Sequence, residues 1–116
     1  MEFRWNIFIA NLDPVIGSEQ GKTRPVLIIS DEEVSKILPI VNILPITSYK
    51  NNRKVYPNEI FIPAGVGGLE KDSLILAHQI RTLDKKRLIK KLGYINSVKL
   101  QEEIIEALCF QLGLIF

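Results

Sequence analysis

Gly17-Ser18-Glu19-Gln20-Gly21-Lys22-Thr23-Arg24-Pro25-Val26-Leu27-Ile28-Ile29-Ser30 leads a glycine-bounded polar loop straight into a strand. Val26 to Ile29 is a short aliphatic run between turn signals, the pattern of a buried strand. Arg24 stands at the mouth of that strand, beside Ser18, Glu19, Gln20 and Lys22 of the loop. A guanidinium fixed at the edge of a rigid element keeps its charge and presents a planar fork of donors, which suits a phosphate.

Outward from this stretch, the chain reads as short strands separated by turn punctuation. Residues 7–12 form a first strand ended by Asp13-Pro14, and residues 24–30 the second. Residues 31–37 are polar and predict a short helical turn capped by Ser30. Residues 40–46 form a third strand; Pro45 lacks a ladder donor, which predicts an edge position or a bend. Residues 48–58, with Asn51-Asn52-Arg53-Lys54, read as an exposed loop. Residues 59–62 form a fourth strand, and the glycines at 65, 67 and 68 a turn. Residues 73–77 and 79–83 give a fifth strand bent near His78, residues 84–88 one helical turn, and residues 91–95 a last strand. From Ser97 the period changes: Leu100, Ile104, Leu108 and Leu112 recur every four residues, with Ile105 and Cys109 alongside. That is one apolar helix face, with Glu102, Glu103 and Glu106 turned away, Ser97 as cap and Gly113 as stop. Short strands followed by one helix predict a mainly β fold with α: a small, strongly bent sheet or barrel closed by that helix.

A chain of 116 residues is expected to be a single domain, 1–116, long enough for a real core. Hydrophobic residues at 47% and charged residues at 24% exclude a disordered chain. The net charge of +2 is too small to demand a polyanion, so the distribution of charge matters more. Arg81, Lys85, Lys86, Arg87, Lys90 and Lys91 form a basic cluster interrupted only by Asp84 among the acids, a patch that attracts phosphates. The lone Cys109 excludes an internal disulfide and reads as a small buried side chain. With no signal-peptide pattern and no apolar run long enough to span a bilayer, a cytoplasmic protein without a membrane partner is expected.

The single histidine, His78, excludes a histidine acid–base pair within the chain, and no His/Cys/carboxylate cluster has metal-ligand spacing. Gly65-Val66-Gly67-Gly68 lacks the lysine and helix of a phosphate-binding P-loop. No metal and no cofactor are therefore expected. Arg24, Thr47 and the loop between the first two strands remain as candidates for chemistry.

The opening stretch resembles the signature of the MazF/PemK toxins, which are small endoribonucleases. Leu12-Asp13-Pro14, Pro45-Ile46-Thr47-Ser48, Pro63-Ala64-Gly65, Lys71-Asp72-Ser73, the run from Gln79 to Lys85, Ala107-Leu108 and Leu112-Gly113-Leu114 follow in that family's order. The match runs from about residue 7 to residue 115. The resemblance implies an SH3-like barrel with a C-terminal helix. It also implies a metal-independent endoribonuclease acting on single-stranded RNA, whose unstacked bases can be read by their edges. By the same likeness the chain would be a homodimeric toxin, held in check by an antitoxin with an acidic segment. Arg24 and Thr47 match the family's catalytic arginine and threonine. Attack of a 2′-hydroxyl on phosphorus builds negative charge on the phosphoryl oxygens, which a fixed guanidinium and a hydroxyl stabilise without a metal. Arg24 would stabilise that charge, with proton donation to the leaving oxygen as a further role, and Thr47 would donate to a phosphoryl oxygen. Glu19 would either accept the 2′-hydroxyl proton or bind a base.

Ser18, Glu19, Gln20, Lys22, Ser48, Gln79 and Arg81 are the expected RNA-binding residues. Gln79 and Arg81 lie two apart on one expected strand and so share a face, while His78 points to the other face and is structural. One departure is visible. The family's opening Arg-Gly-Asp is here Arg4-Trp5-Asn6, so Trp5 is expected to pack on the barrel, with base stacking as the alternative. Two rival readings stand beside the nuclease. One is a toxin of the same fold that binds DNA gyrase through its C-terminal helix, since the chain ends Leu112-Gly113-Leu114-Ile115-Phe116. The other is a catalytically dead RNA- or antitoxin-binding relative.

Overall fold

The computed structural model describes residues 1–114. Seven strands and two helices follow one another as β1 (Asn6–Asn11), β2 (Thr23–Ile28), α1 (Glu32–Ile37), β3 (Ile40–Ser48), β4 (Glu59–Ile62), β5 (Ser73–Leu76), β6 (Arg81–Asp84), β7 (Leu88–Tyr94) and α2 (Val98–Leu112). The strands make one antiparallel sheet in the order β4-β5-β3-β2-β1-β7, with β6 also on β3. The ladder stays open between β4 and β7, so the expected barrel is a bent sheet rather than a closed cylinder. Its two faces separate two apolar clusters. Ile7, Leu27, Leu44, Ile46 and Ile75 face α2, which supplies Ile104 and Ala107. Ala10, Val26, Ile28, Val41, Ile43 and Leu83 lie on the other face.

β3 is the spine. It pairs with β2 along Ile43–Pro45, with β6 through Ile40–Ile43, and with β5 through Ile46–Ser48. Pro45 is thus not on an edge. It sits in the interval between the β6 and β5 ladders, where a missing N–H breaks neither. The register explains the other departure from the expected strands. Ile46 opposes Ile75, but Ile43 opposes Arg81, so three residues are looped out between β5 and β6. They form the 3-10 turn Ala77–Gln79. The single bent fifth strand is therefore two strands joined by an extruded turn.

Local sequence accounts for the remaining elements. Asp31, not Ser30, caps α1, its Oδ2 accepting from the backbone N–H groups of Glu33 and Val34. The Ser30 hydroxyl is instead paired with Ser35 Oγ at 2.8 Å and accepts from Asn42 N. Ser97 Oγ caps α2 and Gly113, at φ 67°, closes it. Of the expected helix face Ile104 is buried, Leu100, Ile105, Leu108 and Cys109 are half-buried, and Leu112 is exposed. The glycine turn packs on β7. A Cβ on Gly93 would lie 2.6 Å from the Gly67 carbonyl carbon, too close for any side chain. Trp5 is buried, 5% exposed, which removes it as a base-stacking platform.

Candidate active site

Arg24 and Thr47 are brought together by strand register. Val26 opposes Pro45 across β2 and β3, and carrying that register two residues further sets Arg24 across from Thr47. Alternation puts Arg24 with Val26 and Ile28, and Thr47 with Ile43 and Val41, on the sheet face away from α2. There the two side chains line an open hollow of about 400 Å³ together with Ser48, Lys50 and Ser73. Among the described residues no carboxylate lines it. Arg24 is half-buried, and its Nε donates to Gly21 O at 2.8 Å. This bond fixes the plane of the guanidinium, while its two Nη groups make no hydrogen bond among the described residues. The arrangement is a preoriented fork of donors beside a hydroxyl, with no acidic side chain among the described lining residues.

The other expected residues gather in a second hollow of about 720 Å³, under the loop between β1 and β2. Ser18, Glu19 and Gln20 line it from the loop, Gln79 and Arg81 from the far side. Gln79 Oε1 accepts from Gln20 N at 3.2 Å and its Nε2 donates to Ser18 O at 3.3 Å. Glu19 Oε1 accepts from Ile16 N at 2.6 Å, so this carboxylate braces its own loop and does not line the Arg24–Thr47 hollow. Ser48 joins Arg24 and Thr47 instead of this group. Lys22 lines neither hollow. It is exposed at φ 64°, with its backbone N–H bonded to Asp13 Oδ1.

Gln79 and Arg81 meet here for a reason other than the one strand alternation supplies. Gln79 belongs to the extruded 3-10 turn and only Arg81 to β6. His78, on the same extruded turn, is exposed and borders this hollow on one side and another, with Glu59 and Phe110, on the other. Two arginines of the basic cluster also brace the loop, each through one nitrogen. Arg81 Nη1 donates to Leu12 O at 3.0 Å, and Arg87 Nη1 to the carbonyls of Asn11 and Asp13. Three successive carbonyls at the start of the loop are thereby held by cations. Lys50 and Ser73 were not named as site residues: Lys50 lay only within the exposed loop 48–58 and Ser73 only within Lys71-Asp72-Ser73, and the β3–β5 pairing is what brings Ser73 opposite Ser48.

Among the described residues no group of three or more His, Cys, Asp or Glu side chains could hold a metal ion. Among the same residues no helix is long and apolar enough to cross a membrane. The fold and the hollow define a small bent-sheet domain whose helix-free face offers fixed cationic and hydroxyl donors to an anion. The chain belongs to the PemK-like, MazF-like toxins of type II toxin–antitoxin systems, the family whose model matches residues 3–112. It is 43% identical over 111 residues to an endoribonuclease MazF of Staphylococcus saprophyticus subsp. saprophyticus, covering 96% of this chain and 91% of the relative. It superposes on the crystal structure of MazF from Deinococcus radiodurans with a TM-score of 0.81 at 27% identity, over 97% of this chain and 96% of that one. A MazE–MazF crystal structure from the same organism aligns with a TM-score of 0.73 at 27% identity, over 96% and 95% of the two chains.

Proposed function

We propose that this chain is a metal-independent, sequence-selective endoribonuclease that cuts single-stranded RNA, acting as the toxin of a type II toxin–antitoxin pair. The observation that carries the reading is the carboxylate-free hollow in which Arg24 faces Thr47 across two strands. The 2′-oxygen of the substrate bonds to phosphorus as the bond to the 5′-oxygen breaks, giving a 2′,3′-cyclic phosphate and a 5′-hydroxyl. The 2′-hydroxyl loses its proton and the leaving oxygen gains one. Arg24, locked through Nε, directs Nη donors at the phosphoryl oxygens where charge develops, and the Thr47 hydroxyl adds a second donor. Arginine holds its own protons too tightly to be the base. Glu19 lies in the other hollow, bonded to Ile16 N, which favours base recognition over proton abstraction. Ser18, Gln20, Gln79 and Arg81 there, with Lys22 on the loop, read and hold the flanking nucleotides, and Ser48 lies beside the cut.

The unit is one domain, 1–116, acting in the cytoplasm as a homodimer. The MazE–MazF complex among the structural relatives supports an antitoxin partner, whose acidic segment would cover the cationic hollow. The gyrase-binding reading leaves the Arg24–Thr47 pairing without a purpose, and the Ile115 and Phe116 it invokes lie outside the described residues. The deciding experiment incubates the protein with a long single-stranded RNA in excess EDTA, beside Arg24→Ala. Discrete cuts by the wild type, with cleavage about 10²–10³-fold slower in the variant, are expected. Intact RNA over several unrelated sequences, or equal cutting by Arg24→Ala, sinks the reading.

A further inference from the structure

The hollow that holds Arg24 and Thr47 has a second cation. Lys50 lines it from the rim, two residues beyond the end of β3. Its ammonium makes no ion pair or hydrogen bond among the described residues; the ion pairs there are Lys36–Glu33 and Arg53–Glu59. An unneutralised lysine is ordinarily a solvated side chain, but the backbone that carries this one is fixed on both sides. Before it, Tyr49 N donates to Asp72 O at 2.9 Å, the Tyr49 ring stands edge-on to Phe61 at 5.2 Å, and its hydroxyl donates to Arg53 O. After it, Asn51 and Asn52 both adopt positive φ, 62° and 47°, and turn the chain back. Arg53 then closes the loop with two hydrogen bonds to Glu59, whose side chain is only 6% exposed. A loop pinned at Tyr49 and again at Arg53 delivers Lys50 to one place. That place is the edge of a hollow lined by another cation, four hydroxyl-bearing strand residues and, among the described residues, no acid.

We propose that Lys50 is a substrate-binding residue of the nuclease, holding the RNA backbone phosphate next to the one bracketed by Arg24 and Thr47. The assignment rests on the endoribonuclease reading above. Two cations converging without a counter-charge repel each other until a polyanion enters, so bound RNA gains from both. Lysine binds a phosphate as a point charge on a flexible stem. Lys50 sits at the rim rather than under the reacting atoms, so its contact holds equally in ground and transition states and acts on KM rather than kcat.

The test compares wild type, Lys50→Gln, Lys50→Arg and, as a remote control, Lys99→Gln, an exposed lysine that lines neither hollow. Cleavage of the same RNA should show KM raised about 5–10-fold by Lys50→Gln with kcat within about twofold, rescue by Lys50→Arg, and no effect of Lys99→Gln. Binding is read separately, by fluorescence anisotropy, on a single-stranded DNA of the same sequence, which lacks the attacking 2′-hydroxyl. There the slope of log affinity against log salt should fall by about 0.7 in Lys50→Gln, one phosphate contact on a single strand. An unchanged slope and KM overturn the assignment, as does a loss confined to kcat. If wild type fails to cut RNA, the nuclease reading falls while the anisotropy slopes still decide whether Lys50 holds a phosphate.

Discussion

Trp5 shows how one side chain can defy its backbone. It sits at φ 67°, a conformation that costs most L-residues about 1–2 kcal/mol. The side chain is buried against the apolar cluster facing α2, and the Arg4 guanidinium lies 5.2 Å from the ring centroid. Backbone bonds hold it on both sides, Trp5 N to Ile28 O and Ile95 N to Trp5 O. Burial of so large a ring outweighs the strain, since removing a buried tryptophan costs about 3–5 kcal/mol. Trp5→Gly should therefore destabilise the fold by about 2–3 kcal/mol despite relieving φ, as measured by urea denaturation. A gain in stability would mean that strain, not packing, dominates there. The burial of Trp5 was legible from its aromatic bulk beside a strand. Its left-handed backbone was not, because nothing in a tryptophan signals it.

At the scale of elements, α1 is a short helix with a second task. Its Glu32 carboxylate accepts from the backbone N–H groups of Glu2, Phe3 and Arg4, between 2.9 and 3.1 Å, and so ties the N-terminal arm to the sheet. Partial burial pushes the Glu32 pKa up, but the hydrogen bonds from Arg4, Phe3 and Glu2 and the charge of Lys36 outweigh it, and the net shift is down. A carboxylate depressed in the folded state stabilises above its ordinary pKa, and that stability fades as pH falls through the folded value. Glu32→Gln should lower the melting temperature by a few degrees at neutral pH, and the gap to wild type should close as acidification protonates the folded-state carboxylate. A gap independent of pH would assign the effect to shape rather than charge. Strand positions, the helix period and the α2 caps could be read from the chain because hydrophobic spacing and cap chemistry are local. The looped-out turn at Ala77–Gln79 could not, since it depends on the register of two strands against a third. That turn carries Gln79 to the β1–β2 loop and leaves His78 between the hollow under that loop and the one beside Glu59 and Phe110.

For the whole molecule, each face of the sheet buries an apolar cluster, one of them against α2, and the charged hollows open beside the loops that leave β1 and β3. Arg24 and Thr47 were legible because a motif named each of them, and the fold then supplied the reason they meet. The position of Lys50 was not legible, because it is set by a loop pinned twenty-three residues away in sequence, where Tyr49 bonds to Asp72. The same layout has a practical consequence. Trp5 is the single tryptophan of the chain and is bonded to Ile28, at the far end of β2 from Arg24, roughly 13 Å along the strand. Indole emission should therefore report on the integrity of the sheet and ignore what enters the hollow. Titrating RNA should leave the spectrum in place, whereas urea should shift it to the red in step with the loss of circular dichroism. A red or blue shift on adding RNA would reveal that the strand transmits binding from one end to the other. The protein carries its own optical gauge of folding, placed where the substrate does not disturb it.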